Sequence, residues 1–303
     1  MSNKSIKNMS ASVRERLLQQ AKKDQRPFDE LLQYFAMDRF LYRWSRSEHA
    51  GLFVLKGALM LRVWEADDFR STRDIDMLAS DTSNDLESMA KIIKEVIAVE
   101  VQPDGLDFLG NTVTAERITE DADYEGVRIK FTGMLGNAKI TMQIDVGFGD
   151  IVYPTPVEIE LPSMLDFPRA HLRCYSRESA IAEKLQAMVY LGDANSRMKD
   201  FYDIFVLSRQ FNFREKDLAT AIELTFNNRN TQIPKKISSF LKDFIDSKEI
   251  QWRAFRRKID QNHVPEPFEE IVSGISAFIE PVVKAITNQS INEADWIAPG
   301  PWR

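Results

Sequence analysis

Two segments joined by Gly136-Asn137 are the feature that most restricts the fold of this chain. They read EGVRIKFTGML and KITMQIDVGF, and polar and apolar residues alternate along both. Alternation with a period of two indicates strands with one buried face, and a Gly-Asn pair between two such runs is typical of a β-hairpin. The strand-like pattern extends over residues 111–149. The first half of the chain is therefore expected to contain a sheet with one polar face.

Helical and strand patterns alternate before this sheet region. They predict helices at 12–24 and 28–45, a strand at LFVLK, a helix at ALMLRVWE, a strand at RDIDMLA, and a helix at NDLESMAKIIKEVIAV with Asn84 as N-cap. Residues 151–168 contain four prolines and predict an extended connection. After Ser176 the pattern is helical almost to the end. The fold class is therefore predicted to be α+β, with a boundary near residue 170.

Composition points to a protein of the cytoplasm. Hydrophobic residues make up 44% of the chain and charged residues 28%, no apolar run approaches the roughly 20 residues of a membrane span, and the first ten residues contain no secretory signal. One cysteine excludes an intrachain disulfide framework. The net charge of −6 gives no general attraction to nucleic acid, so a nucleic-acid partner would need a local basic patch.

Three carboxylates are expected on the polar sheet face. Asp74 and Asp76 are two residues apart in one strand and point to one side, while Ile75 points to the other, and Asp145 lies on the polar face of KITMQIDV. If the two strands are neighbours, carboxylates at ~4 Å repel by roughly 1–4 kcal/mol per pair, and a cation must offset this. Oxygen ligands suit Mg²⁺ or Mn²⁺, which support in-line attack at phosphorus. A D-x-D pair alone is more often a solvated strand face or a salt-bridge partner.

A second feature, Lys56-Gly57, precedes Asp74 by eighteen residues. A glycine between a strand and a helix lets backbone N–H groups approach a phosphate at the helix N-terminus. By itself the pair is more often a tight turn. Together with the D-x-D strand it favours a nucleotide-binding segment of Lys56, Gly57 and Ala58, with Arg73 beside it.

The helical half contributes further candidates. Lys184 lies at the edge of an apolar stripe in a helix expected to start after Ser176 and to end at Gly192, and it either reaches solvent or points at an anionic group. In the next helix, expected to start at Asn195 or Ser196, Asp200 and Asp203 are neighbours on one face.

Five blocks occur in order between about residues 50 and 210: FVLKGALMLRVW, RSTRDIDML, IDVGFGD, IAEKLQAMV and NSRMKDFYDI. They resemble the nucleotidyltransferase fold of DNA polymerase β type and, more closely, the AbiEii/AbiGii family, which includes MenT-like proteins. Members of that family are nucleotidyltransferase toxins of type IV toxin–antitoxin systems. The resemblance implies a nucleotidyltransferase domain with a mixed sheet and N-terminal helices at residues 1–170, and a helical domain at 171–303 that completes the active-site cleft.

The resemblance also implies an activity and a set of site residues. The activity is Mg²⁺- or Mn²⁺-dependent transfer of a nucleotide from an NTP to an RNA hydroxyl, in particular a tRNA 3′ end, restrained by a cognate antitoxin and without a membrane partner. The metal ligands would be Asp74, Asp76 and Asp145. Lys184 would neutralise the triphosphate and also act in catalysis, Asp200 would lie in the nucleotide pocket, and Asp203 would either orient Lys184 or act as a general base.

One departure leaves other functions open. Much of the family has Lys-Gly-Gly followed by Ser or Thr, whereas this chain has Lys56-Gly57-Ala58-Leu59 and no hydroxyl beside the glycine. The alternatives are an enzyme of the same fold that modifies a protein or a small molecule, and a non-catalytic protein that binds a nucleotide or a partner.

Overall fold

The computed structural model describes residues 8–66, 70–80, 82–119, 125–259 and 264–303. The helices are α1 Met9–Asp24, α2 Phe28–Ser45, α3 Leu59–Val63, α4 Leu86–Ile97, α5 Arg177–Leu191, α6 Met198–Gln210, α7 Glu215–Asn228, α8 Lys242–Ile259 and α9 Phe268–Thr287. The strands are β1 Phe53–Lys56, β2 Asp74–Ala79, β3 Leu106–Thr119, β4 Glu125–Leu135, β5 Ala138–Phe148, β6 Val157–Glu160, β7 His171–Cys174, β8 Phe213–Arg214 and β9 Asp295–Trp296.

The chain forms two compact units. The first comprises the described parts of Met1–Val63, Ser71–Gly149 and Val157–Cys174. The second comprises those of Trp64–Arg70, Asp150–Pro156 and Tyr175–Arg303. Two short segments that precede residue 170 in the sequence thus belong to the second unit, and the division into domains at residue 170 stays a prediction.

The first unit is built on a mixed sheet of seven strands. Their order is β3-β4-β5-β2-β1-β7-β6. The β5–β2 and β1–β7 pairs are parallel and the other pairs are antiparallel. The predicted α+β class with a mixed sheet is therefore confirmed. Strand β2, which carries the two aspartates of the D-x-D pair, lies in the middle of the sheet.

The β4–β5 hairpin forms as its sequence predicts. Gly136 adopts the positive φ of 60° that the tight turn requires, and glycine reaches this conformation without the steric cost of a side chain. Alternate side chains from both strands are buried, among them Ile129, Phe131, Met142 and Ile144. The polar residues between them consequently lie on the opposite face of the sheet.

An aromatic cluster covers the apolar face of this sheet. Phe40 and Trp44 project from α2, and their rings lie 5.4 Å from Phe131 and 4.7 Å from Phe53 between centroids. All four side chains are at most 2% exposed. Aromatic residues of this size contribute most of the burial in such a core. Because α2 occupies this face, the aspartates of β2 face the other way.

The second unit consists mainly of α5 to α9. As predicted, α5 begins after Ser176, whose hydroxyl accepts a hydrogen bond from the Ser179 N–H at 3.0 Å, and it ends at Gly192 with φ 49°. Trp252 of α8 is fully buried and stacks on Phe268 with centroids 5.5 Å apart. Trp252, which lies next to the basic residues of α8, therefore belongs to the core.

Several predicted boundaries were wrong. Helix α3 has five residues, because Glu65 adopts a left-handed φ of 57° and turns the chain out of the helix. The cap of α4 is Asp85 instead of Asn84, because its carboxylate accepts the Ser88 N–H at 2.9 Å. Helix α1 starts at Met9, three residues before the predicted start at residue 12. Helix α6 starts at Met198, two residues after Ser196.

The region between the hairpin and α5 also differs from the prediction. It contains two short strands, β6 and β7, and β7 extends the sheet by pairing in parallel with β1. In the part of the chain that is described, no helix combines the length and apolar character needed to cross a membrane.

Candidate functional site

The polar face of the central strands brings two predicted site residues into register. Strands β2 and β5 pair in parallel, with Asp76 opposite Asp145 and Asp74 opposite Gln143. Adjacent strands lie about 4.8 Å apart, and register partners point to the same side of a sheet. The carboxylates of Asp76 and Asp145 therefore start from neighbouring positions on one face, as the sequence predicts.

Gly57 lies directly against the Asp76 carboxylate. Its φ is 75°, and a Cβ atom at this position would lie 1.8 Å from Oδ2 of Asp76, which is an overlap of atoms. Lys56, the preceding residue, is the register partner of Asp76 across the β1–β2 pair. Only glycine fits here, both because of its backbone conformation and because the carboxylate occupies the space of a side chain.

The rest of the predicted nucleotide-binding segment is less favourable. Helix α3, which follows Gly57, is only five residues long, so few peptide dipoles align behind a phosphate at its start. Ala58 is buried and Arg73 is exposed at the start of β2. The roles of Lys56, Gly57, Ala58 and Arg73 in nucleotide binding stay predictions.

Asp145 is held by an arginine of the neighbouring strand. Arg128 of β4 is its register partner and donates from Nε to Oδ1 at 2.8 Å and from Nη2 to Oδ2 at 2.7 Å. Gln143 adds a third hydrogen bond, from Nε2 to Oδ2 at 3.3 Å. Paired hydrogen bonds between a guanidinium group and a carboxylate are among the strongest in proteins.

This pairing bears on the predicted metal site. Asp74 and Asp76 offer carboxylate oxygens, which is the ligand type that Mg²⁺ and Mn²⁺ prefer. Among the side chains that the structure describes, however, no three acidic, histidine or cysteine groups are arranged to hold one metal ion. The Asp74–Asp76 pair fits a divalent cation in its chemistry, whereas Asp145 is engaged with Arg128. The metal site with three carboxylates stays a prediction.

A second polar cluster lies within the helical unit. Lys184 of α5 donates to Asp203 at 2.7 Å and to Asp200 at 3.1 Å, both on α6. Arg197 donates to Asp200 at 2.7 Å, and Arg70 donates to both oxygens of Asp203 at 2.8 and 3.0 Å. The two aspartates are each 1% exposed. Charges of alternating sign thus form a chain of three cations and two anions.

The cluster shifts the pKa values of its members. Burial alone would raise the pKa of Asp203, but Arg70 and Lys184 outweigh it and lower that pKa to about 2. Burial alone would lower the pKa of Lys184, but Asp203 and Asp200 outweigh it and raise that pKa above its usual value. Lys184 therefore stays a cation and Asp203 stays an anion at neutral pH.

Comparison with known protein families gives a match that covers most of the chain. Residues 39–274 match the family described as nucleotidyl transferase AbiEii toxin, type IV TA system. The chain belongs to this family. A search of curated proteins finds no match.

Two solved structures are similar to the AbiEii chain over much of its length. JHP933 from Helicobacter pylori is 15% identical, with 83% of this chain and 91% of that chain covered and a TM-score of 0.47. A structure from H. pylori assigned provisionally as a nucleotidyltransferase is also 15% identical, with 83% and 93% covered and a TM-score of 0.45. Neither likeness bears on activity or substrate.

The geometry of this AbiEii-family protein pairs two arginines, Arg128 and Arg70, with candidate carboxylates, and the two pairs differ in how well the sequence reveals them. Counting back along both strands from the Gly136-Asn137 turn places Arg128 opposite Asp145, so this pair follows from the predicted hairpin. Arg70 and Asp203 are 133 residues apart. Arg70 stands only four residues before Asp74, but no spacing in the sequence pairs it with α6.

Proposed function

We propose that this chain transfers a nucleotide from an NTP to a hydroxyl of RNA, in particular a tRNA 3′ end, and that a cognate antitoxin restrains it. Membership of the AbiEii family supports nucleotidyl transfer, a role as a toxin and an antitoxin partner. The observation that carries the proposal is the polar strand face, where Gly57 packs against Asp76 and Asp76 is in register with Asp145.

The proposed reaction is an in-line displacement. The acceptor hydroxyl oxygen forms a bond to the α-phosphorus and its proton passes to solvent water, the bond from this phosphorus to the bridging oxygen breaks, and pyrophosphate leaves. A bound Mg²⁺ or Mn²⁺ would offset the negative charge of the phosphates, with Asp74 and Asp76 as ligands. The backbone of Lys56 and Gly57 would contact the phosphates in place of the missing Ser or Thr hydroxyl.

Lys184 and Asp203 are assigned roles by their charge states. Lys184 would offset the charge of the triphosphate, and two of its three N–H groups are already oriented by Asp200 and Asp203. A carboxylate with a pKa of about 2 is a weak base, and both oxygens of Asp203 accept hydrogen bonds from cations. We therefore favour an orienting role for Asp203 over a role as general base.

The decisive experiment is transfer of labelled nucleotide. We expect wild-type protein with labelled NTPs, Mg²⁺ and total RNA to label an RNA of tRNA size on a denaturing gel. Asp74→Ala and Asp76→Ala should each abolish labelling, since each removes an oxygen ligand. Their folds should persist, because removing one carboxylate from a negatively charged face relieves repulsion. Wild-type labelling by either variant would refute the assignment of this face.

The labelling assay, together with melting curves measured with and without nucleotide, separates the alternatives. Labelled protein in place of RNA would indicate a protein acceptor. A nucleotide that raises the melting temperature without any transfer would indicate a non-catalytic binding protein, which the lack of a hydroxyl after Gly57 leaves open.

A further inference from the structure

Strand β4 carries two cations on the face that also presents Asp145, and each is paired with a different carboxylate. Lys130 donates to Glu116 of β3 at 2.7 Å, and Arg128 donates to Asp145 of β5. Arg128 is the register partner of Glu116 on one side and of Asp145 on the other. In the observed arrangement Lys130 pairs with Glu116. Arg128, whose planar guanidinium group can donate two parallel hydrogen bonds to one carboxylate, pairs with Asp145.

The two pairs differ in how far water screens them. The Lys130 and Glu116 side chains are 45% and 58% exposed, whereas those of Arg128 and Asp145 are 25% and 18% exposed. An exposed ion pair contributes little, while a half-buried, two-pronged pair is held more firmly. The positively charged guanidinium group of Arg128 is thus held firmly against Asp145, the carboxylate predicted to be the third metal ligand.

A metal cation that binds Asp145 must compete with Arg128 and Gln143 for the carboxylate oxygens. The carboxylate has about four acceptor positions, and the three hydrogen bonds from Arg128 and Gln143 use most of them. The charge of Arg128 also repels a second cation at the same oxygens.

We propose that Arg128 is a built-in counter-ion of Asp145, and that a divalent cation can use this carboxylate only by displacing the guanidinium group. This inference rests on the proposed metal-dependent transfer. It makes Arg128 a residue that weakens cation binding to the free protein, although Arg128 need not touch the reacting atoms. Removing its charge should therefore strengthen binding of the cation.

The test is Mn²⁺ binding without nucleotide, measured from the electron paramagnetic resonance signal of free Mn²⁺. We expect Arg128→Gln to bind Mn²⁺ about tenfold more tightly than wild type, equivalent to about 1.4 kcal/mol. Lys139→Gln is the matched control, because Lys139 is an exposed cation on the same face of β5, six residues from Asp145. Its affinity should stay within about twofold of wild type. Melting curves should establish that each variant is folded.

A double variant locates the effect. If the gain arises at Asp145, Arg128→Gln combined with Asp145→Asn should lose it. An affinity of Arg128→Gln no higher than that of Lys139→Gln, or a gain that persists in the double variant, would overturn the proposal.

A chelator separates this inference from the proposed function. Loss of transfer in EDTA, together with an unchanged affinity in Arg128→Gln, would refute the role of Arg128 and leave the metal-dependent reaction standing. Transfer that is insensitive to EDTA would refute metal dependence itself, and the inference about Arg128 would fall with it.

Discussion

Gly57 connects a backbone conformation to the position of one carboxylate. Most glycines after a strand are explained by the turn alone, but here the Asp76 side chain also occupies the volume that a Cβ atom would need. The residue is therefore constrained twice, by its positive φ and by contact with a residue proposed to act in the reaction. This double constraint leads to a prediction that separates an effect on stability from an effect on activity.

Gly57→Ala should abolish nucleotide transfer with only a moderate loss of stability. The left-handed conformation costs an alanine roughly 1–2 kcal/mol, whereas displacement of the Asp76 carboxylate removes a proposed metal ligand. Urea denaturation and the RNA-labelling assay measure the two effects. Gly51→Ala is the control, because no atom outside its chain neighbours lies within 4 Å of a Cβ there. Equal activity in both variants would show that the position of Asp76 is not critical.

Asp203 makes stability depend on pH in a defined window. Its pKa is about 2 in the folded protein and about 3.9 in an unfolded chain, so the folded state favours the ionised form. This stabilisation is fully present above about pH 4 and is lost as pH falls toward 2, amounting to roughly 2–3 kcal/mol. The Asp203→Asn variant has no ionisable group at this position, so it cannot lose this stabilisation. The difference in free energy of unfolding between wild type and this variant should therefore shrink between pH 4 and pH 2.

Urea denaturation of both proteins across that range provides the measurement. The ion pairs that Arg70 and Lys184 form with the buried Asp203 are the physical reason for the effect. A difference that stays constant over the whole range would mean that Asp203 has an ordinary pKa and is not held by these cations.

At the scale of elements, the stability of α5 depends on its N-cap residue, Ser176. The Ser176 hydroxyl accepts the Ser179 N–H and donates to the Tyr153 carbonyl oxygen at 2.7 Å. Loss of an N-cap costs about 1 kcal/mol, so Ser176→Ala should lower the free energy of unfolding by that amount. Ser273→Ala, at an exposed position of α9, is the control and should change it by less than about 0.5 kcal/mol. Thermal denaturation of both variants decides, and equal stability would contradict the cap.

The elements that the sequence predicts well are those whose signals are local. The hairpin follows from alternation and from Gly136-Asn137, and α2 begins and ends where its apolar spacing predicts. The two ends of α5 follow from Ser176 and Gly192. In each case a cap, a turn residue or a periodic pattern within the segment determines the structure.

The features that the sequence misses depend on distant contacts. Strand β7 has four residues and pairs with β1 and β6, and its alternation of polar and apolar residues is too short to identify a strand from the sequence. The Arg70–Asp203 pair joins residues that only the folded chain brings together. The candidate carboxylates follow from strand alternation, and the Arg128–Asp145 pair follows from the register that the Gly136-Asn137 turn sets.

At the scale of the whole molecule, the distribution of charge matters more than its sum. The net charge of −6 opposes RNA, whose affinity for proteins comes largely from phosphate contacts. Arg128 and Lys130 of the sheet both bind carboxylates. The end of α8, in contrast, presents three basic residues in succession, and two of them, Arg257 and Lys258, are exposed. We regard this surface as the best candidate for contact with RNA phosphates.

Reversing both exposed charges, Arg257→Glu with Lys258→Glu, should weaken use of RNA and reduce its dependence on salt. For single-stranded RNA each lost phosphate contact lowers the slope of log affinity against log salt by roughly 0.7. Nucleotide binding, measured by calorimetry, should not change, because the groups proposed to hold the NTP lie elsewhere in the sequence. Lys216→Glu combined with Lys284→Glu, a reversal of two exposed charges on α7 and α9, changes the net charge by the same amount and is the control. If the α8 variant and this control show the same salt slope for transfer, RNA does not approach the protein along α8.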